Sequence, residues 1–290
     1  MIRISLKLRI DNFMHPIDEI MEERCPNLMK NKILWSFIKS PIQKIFKYND
    51  AKKIVCDISK KSGYGCFSYL SNFLQSDHII QDIDNVPKNG SIILAGNHPT
   101  GLTDGIVMFD VLKERRPDYT LYANSDMIKI AKGFEDIIIP VDWNERNKSS
   151  EKSRKILKIT KETLSKNKAL LVFPSSRLSK RKGIYLYERP WITTIIKLSK
   201  KFNAPIVPFH MSASNSLLFY ILEILNTELK DISLFRELIN KKNFKYNIKF
   251  GKPIEPSSIV DDIEKETKRI QNYVEYSLGR PPSIIQKLNK

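Results

Sequence analysis

The stretch "ILAGNHPTGLTDGIVMF", residues 93–109, places a short polar turn between two apolar runs. The turn, "NHPTGLTDG" at 97–105, holds a His, a Pro, two Gly and an Asp. The run before it has the length of a buried strand, and the run after it is typical of the start of a covered helix. The stretch therefore predicts a strand, a tight turn and a helix, with the polar residues confined to the strand's carboxyl end.

The rest of the chain from about residue 90 repeats this alternation. Apolar runs predict strands at 91–96, 119–124, 136–143, 169–176, 204–210 and 245–251. Helical spacing predicts helices at about 103–115, 149–166, 190–202, 215–226 and 257–278. Strands that alternate with helices favour an α/β fold with a mostly parallel central sheet flanked by helices.

Polar clusters follow four of these predicted strands. They are NHPTGLTDG, PVDWNER, FPSSRLSK and VPFHMSASN. Ligands of such sheets lie outside the carboxyl ends of the strands, so we expect the four clusters to line one crevice.

Residues 1–80 predict a separate N-terminal helical segment, leaving 81–290 as the α/β domain. Apolar residues such as Ile38 and Ile42 recur at helical spacing beside lysines, and Pro41 is expected to kink or split that helix. The apolar stripes either lie on a membrane surface or pack on the main domain. Sequence alone leaves both possibilities open.

Composition narrows the partners and the compartment. The 290 residues are 41% hydrophobic, enough for a sizeable core, and carry a net charge of +17, which favours nucleic acid, an anionic membrane or phosphorylated substrates. No nucleic-acid-binding motif or interleaving of basic and aromatic residues is present, so we expect no nucleic-acid partner.

The three cysteines lack the spacing of a zinc or disulfide framework, and the His and Cys pattern predicts no metal site. Charges in the first twenty residues argue against a signal peptide, and no apolar run is long enough to span a bilayer.

His98 and Asp104 are the first candidates for chemistry. Five residues separate them, and the turn allows the carboxylate to hold one imidazole nitrogen while the other accepts a proton from a hydroxyl group. The alternative is a loop histidine with Asp104 capping the next helix. A serine hydrolase that uses Ser175 or Ser176 is disfavoured, because the Gly-x-Ser-x-Gly turn is missing.

Residues 97–105 resemble the first block of the lysophospholipid or glycerolipid acyltransferase superfamily, and more closely its hemolysin-like branch, where the block is NHPxGxxDG. The wider superfamily has one residue fewer between the His and the Asp. The resemblance implies His98 and Asp104 as catalytic residues, and we assign Asn97, Thr100 and Gly101 to substrate binding beside them.

Three further blocks occur in the family's order, over roughly residues 85–260. "IIIPVDWNERN" matches the second with Asp142 and Arg146, although Trp143 stands where an Arg normally follows the Asp. Phe173–Ser179 matches the third, usually Phe-Pro-Glu-Gly-x-Arg, but lacks its Glu and brings the Arg one residue closer to the Pro. "APIVPFH" matches the fourth, and the nearby His210 is expected to be structural. Acceptor binding is assigned to Ser175, Ser176, Arg177, Lys180 and Arg146.

The resemblance implies the glycerolipid acyltransferase fold and an O-acyltransferase. Its acyl donor would be acyl-CoA or acyl carrier protein, with no further cofactor, and its acceptor a lysophosphatidic-acid-like lipid. Another lyso-lipid acceptor, such as a lyso-ornithine lipid, and a degenerate lipid-binding homologue are the alternatives. We expect a cytoplasmic protein that lies peripherally on the anionic inner face of the cytoplasmic membrane.

Overall fold

The computed structural model describes residues 14–142 and 149–279. Its strands are β1 (Asp77–Gln81), β2 (Ile92–Gly96), β3 (Thr120–Asn124), β4 (Ile138–Val141), β5 (Ala169–Val172), β6 (Lys180–Lys182), β7 (Tyr185–Tyr187), β8 (Ile206–Ser212) and β9 (Lys245–Phe250). Seven of them form one sheet in the order β1-β9-β8-β2-β5-β3-β4, and β6 and β7 form a separate antiparallel hairpin. All six predicted strands are present.

The sheet is mostly parallel, as the alternation predicts. Neighbours from β8 to β4 run parallel, and β9 joins β8 in antiparallel register, with β1 parallel to β9 at the edge. Strand β1 lies within the segment expected to be helical, so that expectation is wrong for residues 77–80. Its carboxyl end faces away from the edge where β2, β5 and β8 end.

Helices cover both faces of the sheet. They are α1 (Pro16–Arg24), α2 (Pro26–Lys30), α3 (Lys32–Ile45), α4 (Tyr48–Ile58), α5 (Gly63–Leu74), α6 (Leu102–Leu112), α7 (Asp126–Ile130), α8 (Ser150–Ser165), α9 (Thr194–Phe202), α10 (Leu217–Leu225), α11 (Thr227–Ile232), α12 (Leu234–Asn240) and α13 (Ile263–Asn272). Residues alternate between the two faces of β2: Ile92 and Leu94 join the core under α6 and the N-terminal helices, whereas Ile93 and Ala95 join the core under α9. Burial on both faces explains the continuous apolar run of β2.

Part of the apolar surface of the N-terminal helices packs against the protein. Ile42, Phe46 and Leu70 are buried in the same core as β2 and α6, which favours packing over a lipid-facing role for these stripes. Helix α3 runs unbroken through Pro41, so the expected split is wrong. The carbonyl that Pro41 leaves without a donor belongs to Phe37, whose exposed position lets water reach it. Within residues 14–142 and 149–279, no helix has both the length and the apolar character needed to cross a bilayer.

Candidate active site

The turn that follows β2 depends on two glycines. A Cβ on Gly96 would lie 2.4 Å from the Phe209 ring, so a larger residue would push β2 away from β8. Gly101 has φ 92° and ψ −116°, a conformation that side-chain-bearing residues rarely adopt. Together they allow the chain to reverse tightly enough to bring His98 back to the first turn of α6.

Asp104 is the centre of this turn and is fully buried. Its Oδ2 accepts hydrogen bonds from His98 Nδ1 at 2.8 Å and from the backbone N–H groups of Thr100 and Gly101 at 2.9 Å each. Its Oδ1 bonds to the Thr100 hydroxyl, which also lies 2.6 Å from the Thr103 hydroxyl. The same carboxylate therefore caps the amino end of α6 and orients the imidazole. Asp104 thus has both of the roles that the sequence left as alternatives, helix cap and partner of His98.

His98 is held in one orientation by its neighbours. Because Nδ1 faces a carboxylate oxygen that can only accept, Nδ1 carries the proton and Nε2 is left as an acceptor. The Phe173 ring stacks on the imidazole with centroids 4.3 Å apart and an interplanar angle of 19°. The residue is 7% exposed, so its ring has few orientations available.

Three of the four polar clusters meet around this dyad. Ser179 donates its backbone N–H to the His98 carbonyl at 2.9 Å. Asn97 exchanges two hydrogen bonds with the Met211 backbone, at 2.7 and 2.9 Å, and the Asn215 side chain donates to the Thr100 carbonyl. These bonds tie the loops after β2, β5 and β8 into one layer at the edge of the sheet.

Asp142 of the remaining cluster, PVDWNER, makes its contacts away from the dyad. Asp142, at the end of β4, bonds to the Ser125 hydroxyl and to Lys152 at 2.8 Å, near the edge of the sheet. Burial alone would raise the pKa of the Asp142 carboxyl. The hydrogen bonds from Lys152 and Ser125 outweigh burial, so the pKa lies below its usual value. Trp143 and Arg146 lie outside the described residues, so the role assigned to Arg146 stays a prediction.

Comparison with known proteins agrees with this geometry. The family model described as "Acyltransferase" matches residues 78–212, which include the dyad and the loops after β2 and β5. Residues 78–212 therefore form an acyltransferase domain. In this acyltransferase the first and third blocks lie at the carboxyl ends of β2 and β5, and the fourth block lies in β8.

Relatives of this acyltransferase include two proteins named lyso-glycine lipid O-acyltransferase, from Phocaeicola vulgatus and Bacteroides thetaiotaomicron. Each is 23% identical over 248 residues, covering 83% of this chain and 86% and 89% of the respective relative. Among solved structures, the 1-acyl-sn-glycerophosphate acyltransferase PlsC from Thermotoga maritima is 15% identical with a TM-score of 0.48. That match covers 91% of this chain and 96% of the other.

The third block of the acyltransferase contributes mostly through its backbone and its cations. Ser175 is buried and donates its hydroxyl to the Arg177 carbonyl at 2.8 Å, and Ser176 takes a left-handed conformation with φ 54°. Arg177 and Lys180 are exposed, and neither side chain has a hydrogen bond or ion pair with another described residue. Their cationic groups are therefore available to a ligand.

These two cations line a groove of about 780 Å³. Its walls come from α10, from the β6–β7 hairpin and from the loop that carries the third block, with further residues from α1, α11 and α12. Leu178 lines the groove and also packs against the turn at Gly101, where a Cβ would lie only 3.0 Å from its Cδ2. A basic and apolar groove of this size thus adjoins the dyad's loop, as a site for an anionic lipid requires.

Glu188 is a further residue of this site, and no sequence pattern points to it. Its Oε1 accepts the His98 N–H at 2.9 Å and the Ser179 hydroxyl, and its Oε2 accepts the Trp191 indole N–H at 3.4 Å. Burial raises the pKa of the Glu188 carboxyl, and the hydrogen bonds from Ser179 and His98 oppose that rise. No spacing rule connects an acid at 188 to a histidine ninety positions earlier, because only the fold brings them together.

His210 has the structural character that its position predicts. It is buried on β8, and burial lowers the pKa of its imidazole to about 4, so it is uncharged at neutral pH. With Glu188 and Glu275 it lines a small polar cavity beside Asn97 and Ser179. Burial, followed by the charge of Glu188, raises the pKa of the Glu275 carboxyl to about 7.

Proposed function

We propose that this acyltransferase moves a fatty acyl group from the thioester of acyl-CoA or acyl carrier protein to the free hydroxyl of an anionic lyso-lipid. The observation that carries the proposal is the dyad: an imidazole held by Asp104, with Nε2 free, on a loop that adjoins a basic and apolar groove. A base without a protein nucleophile beside it requires a nucleophile from the substrate, and a lyso-lipid supplies a hydroxyl.

In the proposed reaction, His98 Nε2 takes the proton of the acceptor hydroxyl as its oxygen attacks the thioester carbonyl. The tetrahedral intermediate then collapses, the C–S bond breaks, and the departing thiolate takes the proton from the imidazolium. Asp104 stabilises that imidazolium and keeps its orientation through both steps. The products are the acylated lipid and free CoA or carrier-protein thiol.

The acceptor we propose first is a lyso-lipid with an amino-acid headgroup. The names of the two relatives support this choice, as does the departure of the third block from the phosphate-binding pattern of the superfamily. A lysophosphatidic-acid-like acceptor is the second candidate, supported by the unpaired Arg177 and Lys180 in the groove. Arginine can bind either a carboxylate or a phosphate through two parallel hydrogen bonds.

The test is an acceptor screen with purified protein. Radiolabelled acyl-CoA and acyl carrier protein are each offered with lyso-glycine lipid, lyso-ornithine lipid and lysophosphatidic acid, and the acylated product is separated and counted. His98→Ala should lose transfer by at least ~10³-fold while its unfolding transition stays cooperative. Near-normal turnover in that variant would refute the mechanism. No transfer to any of the three lipids by the unchanged protein would refute the acceptor class.

We further propose that the protein works at the cytoplasmic face of an anionic membrane, where its lipid acceptor resides. The net charge of +17 supports this proposal, since anionic headgroups attract basic proteins over about a Debye length.

A further inference from the structure

Helix α10 carries an apolar face that the protein leaves uncovered. Leu217, Ile221, Ile224 and Leu225 are 58%, 42%, 86% and 74% exposed, and their spacing puts them on one side of the helix. The opposite side is used for packing, with Phe219 and Tyr220 buried. A helix that is apolar on both sides, with one side in water, has an unpartnered surface.

The β6–β7 hairpin stands beside this helix. Leu186 of the hairpin packs with Phe219 and Tyr220, and the Arg181 guanidinium lies over the Tyr220 ring at 5.4 Å from its centroid. At the hairpin's turn Ile184 is exposed, with the exposed Lys182 close by in sequence. We call the exposed residues of α10 together with Ile184 the α10 face.

Cations surround the groove that lies between α10 and the hairpin. The charged residues that line it are six cations and two carboxylates, namely Arg24, Arg177, Lys180, Arg181, Arg189, Lys230, Glu223 and Asp231. Both carboxylates are already paired, Glu223 with Arg189 at 3.2 Å and Asp231 with Lys230 at 2.9 Å. Arg24 is likewise paired, with Asp126, and the groove between the apolar elements carries a net positive charge.

We propose that the α10 face docks on an anionic lipid bilayer, with its aliphatic side chains among the lipid acyl chains and the groove's cations against the headgroups. The inference rests on the proposed function and names the surface that meets the membrane. Charge favours a bilayer over a second copy of the chain on this face. Pairing two α10 faces would bring two sets of cations together, whereas anionic headgroups complement the cations. In this orientation the groove opens toward the layer that holds the lyso-lipid.

Helix α3 supplies a matched control. Ile33 and Phe37 are 75% and 76% exposed, as accessible as Ile224 and Leu225, and they do not line the groove. Ile224→Ser with Leu225→Ser and Ile33→Ser with Phe37→Ser remove similar exposed apolar area without touching the buried core.

The experiment is co-sedimentation of the full chain with phosphatidylcholine vesicles that contain or lack phosphatidylglycerol. We expect binding to require phosphatidylglycerol, and the α10 double variant to bind at least ~10-fold more weakly because two large apolar side chains are lost from the contact. The α3 double variant should bind within ~2-fold of the unchanged protein. Equal binding by the α10 variant, an equal loss in the α3 variant, or no dependence on phosphatidylglycerol would overturn the proposal.

Two further measurements separate the alternatives. Sedimentation velocity tests self-association: a dimer that dissociates in the α10 variant, with vesicle binding unchanged, would overturn docking on a bilayer. Turnover on vesicle-embedded acceptor should fall in the α10 variant and be unchanged in the α3 variant, whose residues do not line the groove. If the unchanged protein acylates nothing, the proposed function fails, but the vesicle-binding comparison still decides the docking surface.

Discussion

Replacing Asp104 by asparagine separates the charge of this residue from its hydrogen bonds. The three donors on Oδ2 are His98 Nδ1 and the N–H groups of Thr100 and Gly101, so the amide oxygen of the asparagine must occupy that position. Its NH₂ group then faces the Thr100 hydroxyl, which can rotate to accept it while donating to Thr103. The loop and the imidazole tautomer are both preserved.

The loss is then mainly electrostatic. The imidazolium formed during transfer would lack a negative charge whose centre lies about 4 Å away, worth about 4 kcal/mol at an effective dielectric constant of about 20. Since 1.36 kcal/mol is a factor of ten in rate, about 10³-fold is the upper bound, and we expect kcat to fall by about 10²- to 10³-fold. The KM values for donor and acceptor should change little.

Release of free thiol from acyl-CoA measures kcat, and denaturant unfolding measures stability. Asp104→Ala is the contrast: it leaves the buried Thr100 N–H and the partly buried Gly101 N–H without an acceptor, which should cost about 2–4 kcal/mol in the free energy of unfolding. The asparagine variant should lose no more than about 1–2 kcal/mol. A kcat within ~3-fold of the unchanged protein in Asp104→Asn would refute the proposed role of the charge, and equal destabilisation in both variants would refute the reasoning from the hydrogen bonds.

Two other predictions concern the acceptor and the polar cavity. Arg177→Ala should raise KM for the anionic acceptor by about 10-fold and leave KM for the acyl donor unchanged, because the exposed guanidinium lines the groove without a partner among the described residues. Steady-state kinetics test this prediction, with Arg154→Ala, an exposed position on α8, as the control. Equal effects on the two KM values would show that Arg177 is not part of the acceptor site. Glu275→Gln should stabilise the protein by about 1–3 kcal/mol at pH 8 and by much less at pH 5, as judged by denaturant unfolding. The pKa of Glu275 is raised in the folded state to about 7, so folding is favoured with the proton bound and loses stability as the pH rises through that value. The glutamine keeps the acceptor for the Glu188 N–H, 2.6 Å from Oε1, and a variant that is less stable than the unchanged protein at pH 8 would contradict the prediction.

Sequence patterns predicted the elements that depend on residues close together in the chain and missed those that depend on distant residues. Local patterns predicted β2, the turn and α6, because a strand buried on both faces must be apolar throughout and a tight reversal requires Gly and Pro. Strand β1, "DHIIQ", escaped prediction because it is a short edge strand whose only neighbour, β9, lies more than 160 positions later.

The same limit applies to His98 and Asp104 within one loop. The sequence determined which residues could form it, since His98 and Asp104 flank a turn, but five intervening residues are compatible with many loop shapes. The left-handed Gly101 and the two backbone N–H groups held by Asp104 decided that the carboxylate reaches Nδ1. Sequence thus determined the chemistry available, and the folded loop decided that it is aligned.

The sequence by itself indicated the resemblance to acyltransferases, six of the nine described strands and the residues of the converging loops, because these depend on local composition and spacing. Only the tertiary structure decided that Glu188 bonds to the His98 backbone and that α10 and the β6–β7 hairpin enclose a basic groove. The physical reason is that a strand or a turn is specified by neighbours within a few residues. Hydrogen bonds, burial and charge that join distant segments exist only once the sheet has brought those segments together.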